Sequence, residues 1–480
     1  MPNWRYIFEE SLADTMYSVG EPDAPRDNFA TVFGSVFDEL NNYMLNHEIS
    51  AEEADQHKYK DNEDILLDWQ GYVKRMDKRR QTLFGQPLNL AKRSFLVDFF
   101  RMVESFEFLS GNVGDTLDIS DIETPGDTER ATANNYAMDS KSLEWDIVRL
   151  VAHNLGLPSK PRLVVIKLNP TLYTQGYWGY VTSGSTESTL WGIWQGFERF
   201  RDRNQYRKPQ LYLSEASDHA LFKNIQQYPY MELPQTDANN EAVDTQALIS
   251  AVVINWEQGQ IPAVLVLNHG TEKMGSVDDI ATIHRELTAK GVPHYIHVDA
   301  SLYGGIPSNQ TAAPLLGDQT KLGYDSVGVS MHKYIGYPQT RGVLVSVNQP
   351  TGHFVPLIGQ QDTALLGMRN LPGFSMRQQV TEVLLHSDPH TYVTGIEQFA
   401  QLLDQAGIHY NNWQQAGQRG NMFTLIVNPD KPDYKMICKR WQLAEFVGKD
   451  GQHRVQVIIF PYHDIDSMSG VVSDLKNIVG

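Results

Sequence analysis

The sequence predicts an α/β protein whose main domain is built around a largely parallel sheet. From about residue 175, short apolar runs that are typical of strands alternate with amphipathic segments that are typical of helices. This is the order of a chain that winds a parallel sheet between helices. From roughly residue 350 onward, the pattern changes to that of a small α+β domain.

The elements of the main domain follow from periodicity and from residues that stop helices. Leu143, Leu150 and Val151 lie on one helical stripe, and Gly156 and Pro158 end that helix. In chain order we predict a helix at 141–155, a strand at 179–181, a helix at 187–199, strands at 210–213 and 263–267, a helix at 278–290, and strands at 296–298, 326–329 and 342–346.

In the tail, apolar runs at 423–427 and 455–459 predict two strands, and a helix is predicted between them at 435–447. Asp466 is the predicted cap of a final helix at 467–478. The predicted domains are an N-terminal helical segment (1–105), a large domain (106–350) and a small C-terminal α+β domain (351–480).

Composition narrows the class of protein and its partners. A net charge of -18 argues against nucleic acid and anionic membranes as partners. No apolar run reaches the ~18–20 residues that span a bilayer, and the N-terminus lacks the pattern of a secretory signal. Cys438 is the only cysteine, so we expect neither an intramolecular disulfide nor a metal site built from cysteines. We expect a cytoplasmic protein without a metal site.

Two predicted strand ends carry the residue pair with the clearest chemical meaning. Asp299 follows the strand at 296–298, and Lys333 lies in a short segment after the strand at 326–329. In parallel sheets, ligands bind beyond the carboxyl ends of the strands. Enzymes that use pyridoxal 5'-phosphate (PLP) need a lysine for the Schiff base and an acid that faces the pyridinium nitrogen. The alternative is a loop lysine and an aspartate that caps a helix.

A third strand end precedes a segment that suits a phosphate group. Ser183, Gly184, Ser185 and Thr186 lie between a predicted strand and the start of a helix. Glycine permits close approach of the backbone, and hydroxyls and free N–H groups at a helix N-terminus bind phosphate. The alternative is an ordinary capping box, in which Glu187 reaches back to the cap residue.

From about residue 83 to its end, the chain resembles the PLP-dependent group II amino-acid decarboxylases, and most of all the bacterial histidine decarboxylases. The matching segments are 178–187 (WGYVTSGSTE), 268–271 (NHGT), 275–280 (GSVDDI), 297–300 (HVDA), 325–333 (DSVGVSMHK), 335–338 (IGYP) and 368–370 (MRN). Their order and spacing make the resemblance specific. It implies the fold-type-I fold of PLP-dependent transferases and a homodimer with shared active sites.

The resemblance also implies roles for individual residues. Lys333 would bind the cofactor covalently, and Asp299 would pair with the protonated ring nitrogen. Ser301 would lie against one face of the ring. The phosphate would be bound by Ser185, Thr186, Ser330 and His332, and Ser183 and Gly184 would also lie against the cofactor.

The chain departs from the family where a histidine usually stacks on the other ring face. Without a gap in the comparison, Asp218 occupies that position and His219 follows it. An imidazole can stack on the ring and move a proton, whereas a carboxylate stacks poorly. We favour His219 as the catalytic residue and count Asp218 among the residues near the cofactor.

A second departure lies beside Thr271, which we place near the cofactor. Glu272 stands where the family usually has threonine. Beside Asp299, a second acid would raise one of the two pKa values by like-charge repulsion.

The implied activity is the release of carbon dioxide and an amine from a small amino-acid substrate. Histidine is the first candidate, and serine, aromatic and acidic amino acids remain open. A different class of function is a catalytically weak homologue that acts as a binding protein. The departures at Asp218 and Glu272 motivate that alternative, as does Met331, which stands where the family usually has glycine before the His-Lys pair. The presence of Asp299 and Lys333 opposes it.

Overall fold

The computed structural model describes residues 82–87, 141–157, 177–201, 207–237, 240–307, 323–337, 340–347, 374–386, 389–415 and 418–479. All of them belong to one compact unit over residues 82–480. Most of the predicted N-terminal segment lies outside the described residues. The predicted domain boundaries stay predictions.

The described strands are β1 (Trp178–Thr182), β2 (Gln210–Ser214), β3 (Tyr230–Leu233), β4 (Gln235–Asp237), β5 (Asn240–Val243), β6 (Ala263–Asn268), β7 (His294–Asp299), β8 (Ser326–Ser330), β9 (Gly342–Ser346), β10 (Gln414–Gln415), β11 (Gln418–Arg419), β12 (Met422–Ile426), β13 (Ala444–Val447) and β14 (His453–Ile458). The described α-helices are α1 (Lys141–Asn154), α2 (Ser185–Arg201), α3 (His219–Asn224), α4 (Thr245–Gly259), α5 (Ile280–Ala289), α6 (Phe374–Thr381), α7 (Pro389–Gln405), α8 (Tyr434–Arg440) and α9 (Ile465–Leu475). A π-helical turn over Glu382–His386 follows α6. Within these residues, no helix is long and apolar enough to cross a membrane.

The predicted α/β architecture is confirmed. Seven strands form one sheet in the order β1-β9-β8-β7-β6-β2-β3. Strands β3, β2, β6, β7 and β8 run parallel, whereas β9 is antiparallel to both of its neighbours. Strands β1, β6, β8 and β9 are buried along their whole length, as expected for a sheet covered on both faces. The carboxyl ends of the parallel strands therefore meet at one edge, which is where ligands bind in such sheets.

The C-terminal region is a three-stranded antiparallel sheet in the order β12-β14-β13, packed with helices. Phe84 belongs to its core, and the Phe84 carbonyl accepts a hydrogen bond from the Ile458 N–H at 2.5 Å. A short stretch near the N-terminal end of the unit is thus part of the C-terminal core.

Two predictions for the tail are wrong. The predicted helix at 435–447 ends at Arg440, because Gln442 adopts a left-handed backbone (φ 49°) and the chain then continues as β13. The last helix is capped two residues earlier than expected. The Asp464 side chain, not that of Asp466, accepts the hydrogen bond from the Ser467 N–H at 2.7 Å.

Helix α2 lies against β7 and β8 through a small residue. A methyl group at Gly192 would lie 2.2 Å from Nδ1 of the buried His297. We expect Gly192→Ala to lower the free energy of unfolding by roughly 1–3 kcal/mol through overpacking. Gly395→Ala in α7 is the control, because its added methyl meets nothing closer than 3.9 Å. The control should raise stability by up to about 1 kcal/mol through helix propensity. Urea midpoints of both variants test this, and equal effects would contradict it.

Candidate active site

Asp299 ends β7, and Ser301 holds its side chain in one orientation. The Ser301 N–H donates to Asp299 Oδ1 at 3.0 Å, and the Ser301 hydroxyl donates to the same oxygen. Burial raises the pKa of Asp299 and the positive charge of Lys333 lowers it, while Asp218 raises it further. Lys333 and Asp218 are therefore both close enough to Asp299 for their charges to change its pKa.

Lys333 lies in the turn directly after β8. The Met331 N–H donates to the Arg341 carbonyl at 2.9 Å, and the Tyr337 N–H donates to the Met331 carbonyl at 2.9 Å. Gly336, with φ 71°, supplies the left-handed backbone of this turn. The Met331 side chain is fully buried in the core of the main domain, which anchors the turn. Lys333 itself is half-buried.

Two further predicted residues flank Lys333. The Ser330 side chain is fully buried, and its Oγ has no hydrogen-bond partner within the described residues. His332 is half-buried, and its Nδ1 lies 3.3 Å from the Arg341 carbonyl, which can only accept. Burial lowers the pKa of His332, and the charge of Lys333 lowers it further.

At the start of α2, Glu187 reaches back to Ser183, which is one half of the capping box that we considered as an alternative. The Ser183 N–H donates to Glu187 Oε2 at 2.7 Å, and the Ser183 hydroxyl donates to the same carboxylate. The Ser183 hydroxyl is therefore already engaged. Ser185 is buried and Thr186 is half-buried in the first turn of this 17-residue helix. Gly184 uses its carbonyl to accept from the Thr182 hydroxyl at 2.9 Å.

Asp218 and His219 occupy different surroundings after β2. Asp218 is the N-cap of α3, and its side chain accepts from the Ala220 N–H at 2.9 Å. The negative charge of Asp218 also raises the pKa of Asp299. His219 is exposed and lines a neighbouring cavity. Asp218 is thus the member of the pair whose charge acts on the Asp299 carboxylate.

Thr271 and Glu272 lie in the turn after β6. Thr271 is buried, and its hydroxyl is hydrogen-bonded to Glu241. Burial raises the pKa of Glu241, and the charge of the exposed Glu272 raises it further. The like-charge effect on Asp299 that we expected from Glu272 is exerted by Asp218.

Sequence reasoning missed two buried polar residues beside this site. Glu241 is a buried carboxylate on the short strand β5, and Ser217 has a buried Oγ without a partner in the described residues. No motif marks either residue. The only signal was the position of Ser217 directly before Asp218.

The residues present fit a PLP group. The unpartnered Ser330 hydroxyl suits a phosphate oxygen. The buried Asp299 carboxylate suits the cationic ring nitrogen of PLP, and the nearby Lys333 amine suits its aldehyde. In the same described part of the chain, no group of three or more His, Cys, Asp or Glu side chains could hold a metal ion.

Comparison with known proteins gives relatives at modest identity. The chain is 26% identical to serine decarboxylase 2 of Oryza sativa subsp. japonica over 384 residues, which is 78% of this chain and 71% of that protein. It is 31% identical to the histidine decarboxylase of Morganella morganii over 243 residues, which is 49% of this chain and 57% of that protein. No protein-family model matches the chain.

The fold has a counterpart among solved structures. L-methionine decarboxylase from Streptomyces sp. 590 superposes with a TM-score of 0.62 at 16% identity, covering 87% of this chain and 95% of that one. At this low sequence identity, the structural similarity supports a shared fold and nothing more. The relatives in sequence are a serine decarboxylase and a histidine decarboxylase, and the chain is similar to both at modest identity.

Proposed function

We propose that this protein binds PLP through Lys333 and decarboxylates an amino acid. The observation that carries the proposal is the position of Asp299 at the end of β7 and of Lys333 in the turn after the neighbouring strand β8, close enough that the charge of Lys333 lowers the pKa of Asp299. When bound, PLP supplies the electron-withdrawing ring that takes up the electron pair left by carbon dioxide.

Residues of this protein would hold and orient the cofactor. The Lys333 amine would hold the cofactor covalently through its aldehyde. The Asp299 carboxylate would pair with the ring nitrogen, and Ser301 fixes its orientation through two hydrogen bonds to one oxygen. Ser330 and the first turn of α2, with Ser185 and Thr186, bind the phosphate.

We propose histidine as the first substrate to test, since a relative with that activity is among the most similar proteins. Serine is the next candidate on the same ground. Aromatic and acidic amino acids follow from the wider family. We also propose a cytoplasmic homodimer, which rests on the family resemblance and on the charge and composition of the chain.

For the position beside the ring, the charge of Asp218, which raises the pKa of Asp299, supports Asp218, whereas the sequence favoured His219. Like-charge repulsion from Asp218 raises the pKa of Asp299, so Asp218→Asn should lower that pKa. Asparagine can still cap α3. Because Asp299 must be ionised to pair with the ring, the acid limb of kcat/KM against pH should move to lower pH.

His219→Ala is the comparison for this test. His219 is exposed, so its replacement should leave the acid limb in place and change kcat by no more than about twofold. A large loss of kcat in His219→Ala, with Asp218→Asn unaffected, would instead make His219 the residue that acts on the cofactor.

The experiment that tests the proposed function measures carbon dioxide and amine release from a panel of amino acids with PLP added. Release from one amino acid establishes the decarboxylase and its substrate. A protein that stays colourless with PLP and releases nothing would instead be a homologue that works as a binding protein.

A further inference from the structure

Helix α6 carries a polar residue on its buried, apolar stripe. The stripe continues into the π-helical turn and consists of Met376, Val380, Val383 and Leu384, all of which belong to the core of the main domain. Gln379 lies on the same stripe and is only 2% exposed. Burying an amide among apolar side chains costs free energy unless the amide is hydrogen-bonded, so a glutamine at this position indicates a specific partner.

The partner of Gln379 lies in the turn that carries Lys333. The Gln379 side-chain amide donates to the Ile335 carbonyl at 2.6 Å. Ile335 follows Lys333 by two residues and is fully buried. The next residue, Gly336, uses its N–H to donate to the Lys333 carbonyl at 3.2 Å. A movement of the Ile335 carbonyl would therefore also move the backbone of Lys333.

Helix α1, which packs against α6, makes a corresponding contact to the neighbouring strand end. Asn154 is the last residue of α1, and its buried side-chain amide donates to the carbonyls of Gly304 and Ile306 at 3.1 and 2.9 Å. Both carbonyls belong to the segment that follows β7. The two helices are joined by an ion pair between Arg377 and Asp146. One buried amide on each of two packed helices thus holds the segments that follow β7 and β8.

Apolar contacts hold the same turn from other sides. The Tyr334 ring lies beside the Phe460 ring, with centroids 5.7 Å apart. A methyl group at Gly305 would lie 3.1 Å from the Ile335 side chain. Such contacts fill space but do not orient a carbonyl, whereas a hydrogen bond depends on both distance and angle. Gln379 therefore gives the turn a directional contact.

We propose that Gln379 is a positioning residue, whose hydrogen bond to the Ile335 carbonyl holds the Lys333 amine within reach of PLP. The inference rests on the proposed function, in which Lys333 binds the cofactor. Without this hydrogen bond, the Ile335 carbonyl would be buried without its donor, and the turn would open more often. PLP would then bind only to the fraction of molecules in which the turn is closed, so its apparent Kd would rise.

The test starts with amide hydrogen exchange of residues 331–337 in the full chain before PLP is added. The N–H groups of Met331, Gly336 and Tyr337 are hydrogen-bonded, so their exchange reports opening of the turn. Gln379→Met keeps an unbranched side chain of similar length and removes the donor. It should accelerate exchange in the turn roughly five- to 150-fold. It should also raise the Kd of PLP about two- to tenfold, measured by the absorbance of the bound cofactor.

Asn421→Leu is the matched control. Asn421 is buried, and its side-chain amide donates to the Ile459 carbonyl at 3.1 Å in the C-terminal region. The control removes the same kind of hydrogen bond, but the turn amides and the Kd of PLP should keep their wild-type values. Wild-type exchange and Kd in Gln379→Met would overturn the inference, and so would an equal change in the control.

Gln379→Glu decides if Gln379→Met does not fold, because it keeps the size and polarity of the side chain. A protonated carboxyl group can donate to the Ile335 carbonyl, whereas an ionised one cannot. Exchange in the turn of this variant should therefore accelerate relative to the wild type as the pH rises. Exchange that follows the wild type at every pH would contradict the role of Gln379.

The two proposals can fail separately. PLP fixed on Lys333 of the wild type by borohydride, with the same Kd in Gln379→Met, sinks the positioning role and keeps the proposed function. Faster exchange in the turn of Gln379→Met, in a protein whose wild type binds no PLP, keeps the hold of Gln379 on the turn and sinks the proposed function.

Discussion

Lys333→Ala should abolish covalent attachment of PLP and lower the rate of carbon dioxide release by roughly 10³-fold or more, as expected for a group that acts directly on the reacting atoms. The physical reason is the position of its amine. It lies in the turn after β8, where its positive charge lowers the pKa of the buried Asp299. Alanine supplies neither the nucleophile nor that charge.

The measurement has two readouts. Borohydride reduction of the PLP-loaded wild type, followed by peptide mapping, should leave the cofactor on Lys333, and the variant should carry none. Lys208→Ala is the matched control, since Lys208 is exposed and belongs to no strand end of the site. Cofactor fixed on another lysine, with turnover retained in Lys333→Ala, would remove Lys333 from the mechanism.

Much of the sheet could be predicted from the sequence, because buried parallel strands are short apolar runs with little ambiguity. The runs that end at Asp299 and before Lys333 were read correctly as neighbouring strand ends. Helix α4 (Thr245–Gly259) and the strands β3, β4 and β5 were missed. β4 and β5 are short and partly polar, and the apolar residues of α4 were not read as a helical stripe. The tail was misread after Arg440, because a single left-handed residue, Gln442, turns the chain from helix to strand.

The sequence predicted those site residues whose type has one characteristic chemical use. It did not predict those whose role depends on their position in the folded chain. Lysine and aspartate at adjacent strand ends can be recognised from the sequence, whereas a buried serine or glutamate without a motif cannot. Ser217 and Glu241 became candidates only through burial and through the partners that they have or lack. In the same way, Asp218 and His219 differ by one position in sequence and by their surroundings in space.

Asp299→Asn should lower the rate of decarboxylation by about 10²–10³-fold without lowering the thermal stability of the cofactor-free protein. The buried carboxylate has a raised pKa because burial disfavours its charge. Asparagine removes that charge. Both bonds from Ser301 end on Oδ1, so the asparagine carbonyl can accept them while its amide group takes the place of Oδ2. The lost interaction is then the one with the ring nitrogen.

Asp278→Asn is the matched control, because it places the same change in a carboxylate whose two oxygens both accept from the protein. Its Oδ1 accepts from the Val243 N–H at 2.7 Å, and its Oδ2 accepts from the Asn268 N–H at 2.6 Å. Burial raises the pKa of Asp278 to about 6. An amide at either oxygen would face a donor, which should cost about 1–3 kcal/mol of the free energy of unfolding. Activity lost with stability kept marks Asp299 as a residue that acts on the cofactor. If Asp299→Asn instead unfolds at a lower temperature by as much as Asp278→Asn, Asp299 is a structural acid and the proposed pairing with the ring nitrogen is wrong.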